Sequence, residues 1–147
     1  MQQGFTLVEL LVVFAMGALL VALVPLAFGK LREASQYRDT LRTLVTDLRQ
    51  ARQLAVTRGV EVRFQLDLAR RQFGLPGAVQ RKVPPPLNLR ATVAGAELST
   101  DQVASILFLP EGGATGGSFD VLRPSGSGTR VRVDWLSGKV EQEALQP

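Results

Sequence analysis

A chain of 147 residues with no histidine and no cysteine lacks the usual general base, thiolate metal ligands and disulfide staples. Enzymatic chemistry is disfavoured from the start. The formal net charge of +4 is unevenly spread: the excess sits on residues 30–58, where Lys30, Arg32, Arg38, Arg42, Arg49, Arg52 and Arg58 outnumber Glu33, Asp39 and Asp47. A basic stripe beside a bilayer meets anionic headgroups more often than DNA, and residues 59–147 are almost neutral.

Residues 5–28 form an apolar run in which only Thr6 and Glu9 are clearly polar. As a helix the run would rise roughly 36 Å, enough to span a hydrocarbon core of about 30 Å with some tilt. It is too long for the h-region of a cleaved signal peptide; Met1-Gln2-Gln3-Gly4 lacks a basic group, and no Ala-x-Ala site follows. A retained membrane helix over residues 5–29 is therefore expected. Glu9 is its sole ionisable side chain, costing on the order of 2.5–3.5 kcal/mol at the centre of a bilayer. Either Glu9 is a structural accident near the interface, or it pairs with a cation. A free α-amino group at Phe5 of a neighbouring subunit, made by cutting after Gly4, would supply one. Pro25 cannot donate to the carbonyl of Val21, so a kink is expected there.

Helical periodicity resumes after Gly29. Leu31, Ala34, Tyr37, Leu41, Leu44, Leu48, Ala51 and Ala55 recur every three or four residues, predicting an amphipathic helix over residues 30–58 that Gly59 stops. Beyond Gly59 the period becomes two. Val60, Val62, Phe64 and Leu66 predict a half-buried strand, and further strands are expected at 72–75, 87–93, 106–109, 118–122, 130–135 and from Val140. Residues 76–86 and 94–105 are expected to be irregular. The 59–147 segment thus reads as a β-rich head, and the whole as α+β: a long N-terminal helix packed on an antiparallel sheet.

The glycine-rich run 112–117 lacks the lysine of a phosphate loop and is read as a tight hairpin needing positive φ. Asp120, Asp134, Glu141 and Glu143 alternate along strands, as a solvated face does, and do not form a calcium loop. Phe108 and Trp135 are expected in the core. Arg130 and Arg132 are the candidate nucleic-acid contacts, the alternative being a solvated strand face.

Gly4-Phe5-Thr6-Leu7-Val8-Glu9-Leu10 resembles the prepilin processing motif of type IV pilins and type II secretion pseudopilins. The second half is similar to the GspH/FimT branch of minor pseudopilins and pilins, through Phe108-x-Pro110-x-Gly112, Gly116-Gly117 and Asp134-Trp135-x-x-Gly138-x-Val140. The resemblance implies a leader of residues 1–4, cleavage between Gly4 and Phe5 by a prepilin peptidase, and N-methylation of Phe5. Glu9 would then dock the subunit into a filament. It implies a single-pass protein of the bacterial inner membrane, with a periplasmic head and the 5–29 segment later packed among other pilins or pseudopilins. An inner-membrane assembly platform is an implied partner. The subunit would initiate or cap a secretion pseudopilus or type IV pilus-like filament; DNA binding in natural transformation is the alternative. Neither residues nor resemblance calls for a catalytic residue, cofactor or metal.

Overall fold

Both periodicities find their partners in the computed structural model, which describes residues 4–93 and 102–147, the side chains of residues 23–28 excepted. One helix, α1 (Leu7–Arg58), runs through two compact units, Met1–Ser35 and Gln36–Pro147. In the first unit its large apolar side chains from Leu7 to Val21 are exposed. Among the described residues no helix is long and apolar enough to cross a membrane. The described apolar stretch 7–22 would rise only about 24 Å at 1.5 Å per residue, short of a hydrocarbon core of roughly 30 Å. Residues 23–28, which the sequence reading counted toward the span, fall outside the described side chains, as does the kink expected at Pro25.

In the second unit α1 buries Tyr37, Leu41, Leu44, Val45, Leu48, Ala51 and Ala55. This apolar stripe starts at Tyr37 and not at Leu31, which is exposed, because the core cluster begins with Tyr37. The helix stops as expected. Gly59 takes a φ of 64°, and the Val60 N–H donates back to the carbonyl of Ala55 at 3.3 Å, capping an otherwise unpaired helix-end acceptor.

Eight strands follow among the described residues: β1 (Val62–Asp67), β2 (Gln72–Gly74), β3 (Arg81–Lys82), β4 (Asn88–Val93), β5 (Val103–Phe108), β6 (Gly117–Leu122), β7 (Gly128–Val133) and β8 (Val140–Leu145). They form two antiparallel sheets where the sequence reading drew one. The orders are β3-β2-β1-β5 and β4-β6-β7-β8. Pairing is in register, with Phe64 opposite Ile106 in the first sheet and Phe119 opposite Val131 in the second. Several boundaries also differ: Val60, expected in the first strand, lies outside β1 and is 49% exposed. Strand β5 starts at Val103, inside the segment taken as loop, because Ala104 and Ile106 alternate inward. The two-residue β3 sits within the proline-rich stretch. Strand β7 ends at Val133.

The core lies where the stripe of α1 meets the inner faces of both sheets. Leu44, Leu48, Ala51 and Ala55 share one cluster with Phe64, Phe73, Ile106 and Phe108 of the first sheet and Phe119, Val121 and Val131 of the second. Phe64 and Phe119 span the two sheets with ring centroids 5.9 Å apart, a tilted aromatic pair. Tyr37 ties the start of the stripe to the second sheet: its hydroxyl hydrogen-bonds Thr129 at 2.7 Å, and the Arg123 guanidinium lies 4.1 Å from its ring centre. Leu48 is fully buried, so Leu48→Ala is expected to destabilise the head by about 2–5 kcal/mol. Denaturant unfolding of the detergent-solubilised chain measures this, and a loss below about 1 kcal/mol would mean that the stripe does not hold the sheets together.

Candidate functional site

The N-terminal candidates sit at the very start of α1. Thr6 caps the helix: its Oγ1 accepts the backbone N–H of Glu9 at 3.3 Å, and its carbonyl accepts Glu9 N–H at 3.1 Å and Leu10 N–H at 3.2 Å. Thr-x-x-Glu ahead of an apolar run is a capping-box pattern that the sequence reading passed over. Glu9 thereby occupies the first turn, where the positive end of the helix dipole favours a carboxylate. The acid thus has an electrostatic partner within its own helix, before any subunit approaches. Phe5 is 77% exposed, and a Cβ added at Gly4 would meet nothing within 4 Å among the described residues, so the Gly4–Phe5 bond is uncovered by them.

The head candidates converge on the two loops that follow β5 and β7. The chain turns tightly after Leu109, whose N–H donates to Gly113 at 2.9 Å while Gly112 N–H donates to Leu109 at 3.0 Å. Gly112, Gly116 and Gly117 have φ values of 96°, 78° and 144°, which side chains rarely tolerate. The run is more than the expected hairpin, however. Its two flanking strands, β5 and β6, belong to different sheets, so the glycines carry the chain from one sheet to the other. Phe108 is fully buried just before the turn, as expected.

Trp135 is not in the core. It is 67% exposed and Leu136 is 71% exposed, because β7 ends at Val133 and the alternation stops before reaching the tryptophan. The loop carrying them is nevertheless firmly held. Asp134 accepts the hydroxyl of Ser137 at 2.7 Å and its N–H at 2.9 Å, and these bonds hold the Asp134 carboxyl below its ordinary pKa. Trp135 O accepts Ala114 N–H at 2.9 Å. Arg52 of α1 then donates through Nε to Gly112 O at 3.2 Å and to Ser137 O at 3.0 Å, one guanidinium bridging both loops. Gly138 closes this junction: at φ 63°, any Cβ there would collide with Gly112 O and crowd Arg52. Gly116 similarly lies against Trp135. Pro110 sits in the same turn. The sequence showed the motif glycines, but not the helix arginine, 60 residues away from Gly112, that they are shaped around.

The basic candidates of the second sheet are engaged with carboxylates. Asp120 is only 1% exposed, not on a solvated face, and Arg130 meets it through two hydrogen bonds of 2.8 and 3.0 Å. Arg132 lies 3.9 Å from Glu143, and Lys139 lies 2.9 Å from Glu141. Register explains the first pair, since Asp120 stands opposite Arg130; Arg132 stands opposite Glu141 and reaches Glu143 diagonally. An open cavity of about 520 Å³ borders these residues, lined in part by Thr92, Ser118, Arg130, Arg132 and Trp135. Among the described residues no group of three or more carboxylates gathers as a metal site would need.

A capped apolar helix running into a head of two antiparallel sheets, with its loops pinned to the same helix, defines a pilin-like α+β subunit. The chain belongs to the GspH family: the family described as "Type II transport protein GspH" matches residues 40–138, and the "Prokaryotic N-terminal methylation motif" matches residues 1–25. It is similar to the type II secretion system protein H of Xanthomonas campestris pv. campestris, at 30% identity over 98% of this chain and 85% of the relative. Its fold resembles that of the minor pseudopilin EpsH from the type 2 secretion system of Vibrio cholerae, with a TM-score of 0.58 at 12% identity, covering 74% of this chain and 97% of that one.

Gly138→Ala is expected to cost at least about 1–2 kcal/mol from the left-handed backbone alone, with the displaced Arg52 adding to it. Unchanged thermal stability of the variant would show that the junction around Arg52 is loose.

Proposed function

We propose that this chain is a minor pseudopilin, a structural subunit of a type II secretion pseudopilus and not an enzyme. The observation that carries the reading is the union, in one chain, of a methylation-motif match over residues 1–25 and a GspH match over residues 40–138. The two parts of the same helix support it physically: among the described residues the first leaves its large apolar side chains exposed, whereas the second buries its own in the head's core.

In this reading residues 1–4 are a leader, removed by a prepilin peptidase between Gly4 and Phe5, and Phe5 is then N-methylated. Residues 5–29 hold the subunit in the inner membrane with its head in the periplasm, kinked at Pro25, until an assembly platform moves it into the filament. There its apolar surface packs against other pseudopilins, and the subunit initiates or caps the filament rather than forming its bulk. Thr6 holds Glu9 in the first helical turn, presenting the carboxylate to the α-amino group of a neighbour's Phe5. The nucleic-acid alternative gains nothing from the head, because Arg130 and Arg132 face Asp120 and Glu143.

Two measurements test the reading. Glu9→Ala or Glu9→Val is expected to insert normally but to be lost from sheared filaments; wild-type recovery in the filament fraction would refute the docking role. N-terminal mass spectrometry of membrane-purified protein is expected to begin at methylated Phe5, and an intact Met1 would contradict processing.

A further inference from the structure

The outer face of the second sheet holds polar groups that neither the core nor the loop junction uses. Phe119 and Val131 turn into the core, so Ser118 and Arg132 beside them turn outward. Register sets Thr92, Ser118, Arg132 and Glu141 in one row across β4, β6, β7 and β8. Such an outer face is ordinarily solvated, yet Ser118 is only 9% exposed. The hydroxyls of Ser118 and Thr92 have no hydrogen-bond partner among the described residues. A buried hydroxyl left in that state is costly unless a water or a ligand completes it. Both residues line the open cavity of about 520 Å³, which lies wholly within the second unit and has Trp135 as part of its wall.

We propose that this cavity is a binding site for a neutral saccharide of about one or two rings, a size that suits its volume, with Trp135 as the stacking platform. The charges of the lining are already matched. Arg130 is held by Asp120, and Arg132 lies beside Glu143, so neither an anion nor a cation finds an unbalanced partner. What stays available is a mixture of donors and acceptors. Thr92 and Ser118 offer hydroxyls, while Arg132 and Glu143, loosely paired at 3.9 Å, are each at least half exposed. Neighbouring sugar hydroxyls donate and accept at once, which matches such a lining. The C–H face of the same ring is apolar and packs on an indole, whose flat surface Trp135 presents at 67% exposure. The Asp134–Ser137 bonds hold that loop in place before any ligand arrives, so stacking carries little ordering cost. A peptide is the poorer occupant. On the face of a sheet the backbone groups already bond strand to strand, and an extended segment finds no ladder to join. The proposal stands on the head alone, apart from the filament reading.

Trp135 is the sole tryptophan of the chain, so its fluorescence reads the site directly. The full chain, in a zwitterionic detergent without sugar headgroups, is titrated with cellobiose, with N,N′-diacetylchitobiose and, as an anionic counterpart, with trigalacturonate. The expected result is a saturable emission change with at least one of the two neutral disaccharides, at a Kd on the order of 1 mM. Raising salt from about 0.1 M to about 1 M, which shortens the screening length from about 10 to 3 Å, should leave it unchanged. Ser118→Ala and Arg132→Gln should each weaken binding about three- to tenfold, with the parent's thermal melt retained. Trp135→Ala, followed by calorimetry, should abolish it. No response to either neutral disaccharide about tenfold above that concentration would overturn the proposal. So would a response to trigalacturonate alone that is lost at high salt, which would make the cavity a site for anions. Binding untouched by both Ser118→Ala and Arg132→Gln would reduce it to contact with an exposed indole. A signal that appears only when another pseudopilin is added would assign the cavity to a protein partner instead.

Discussion

Everything in the head depends on one face of α1. Neither sheet could bury its inner side alone, since each is a four-stranded ribbon with one apolar surface. The row from Tyr37 to Ala55 covers both at once, and its small members, Ala51 and Ala55, let the helix approach closely where the loops come in. The Phe64–Phe119 contact then joins the sheets behind the helix. Hydrophobic burial of this kind sets position along the helix but discriminates weakly between neighbouring loop conformations. That discrimination comes from directional bonds.

Arg52 supplies them. Its Nε reaches two carbonyls from loops that are distant in sequence; Gly112 and Gly138 leave the room that such an approach needs, and Gly113 and Gly116 let the Trp135 loop come close. Two consequences follow. The crossing between sheets is fixed to the same helix that forms the core, and the Trp135–Leu136 tip is held outward by bonds on both sides. An exposed tryptophan on a well-held loop differs from one on a mobile loop, because its surface is presented without further ordering cost.

The two ends of α1 solve opposite electrostatic problems. At the start, an acid in an apolar setting is placed where the helix dipole and the Thr6 cap favour it. In the head, arginines outnumber acids along the exposed side, and three of them find no counter-charge among the described residues.

The local signals were legible in the chain itself. Period 3.6 to residue 58 and period 2 afterwards determined a helix and strands, Gly59 marked the boundary, and Gly4 to Leu10 with the Trp135–Gly138 neighbourhood pointed to the family. The capping box at Thr6–Glu9 was legible too, although the sequence reading missed it. Only the tertiary structure decided that the strands divide into two sheets, because strand pairing joins residues as far apart as β1 and β5 and no local pattern encodes it. It also decided which side of two ambiguous residues was right. Asp120 looked solvated and is buried, since register sets Arg130 opposite it; Trp135 looked buried and is exposed, since β7 ends before alternation can carry it inward. Arg52 was one arginine among many until folding brought Gly112 and Ser137 to it, for a side chain's partners are set by distance in space and not along the chain.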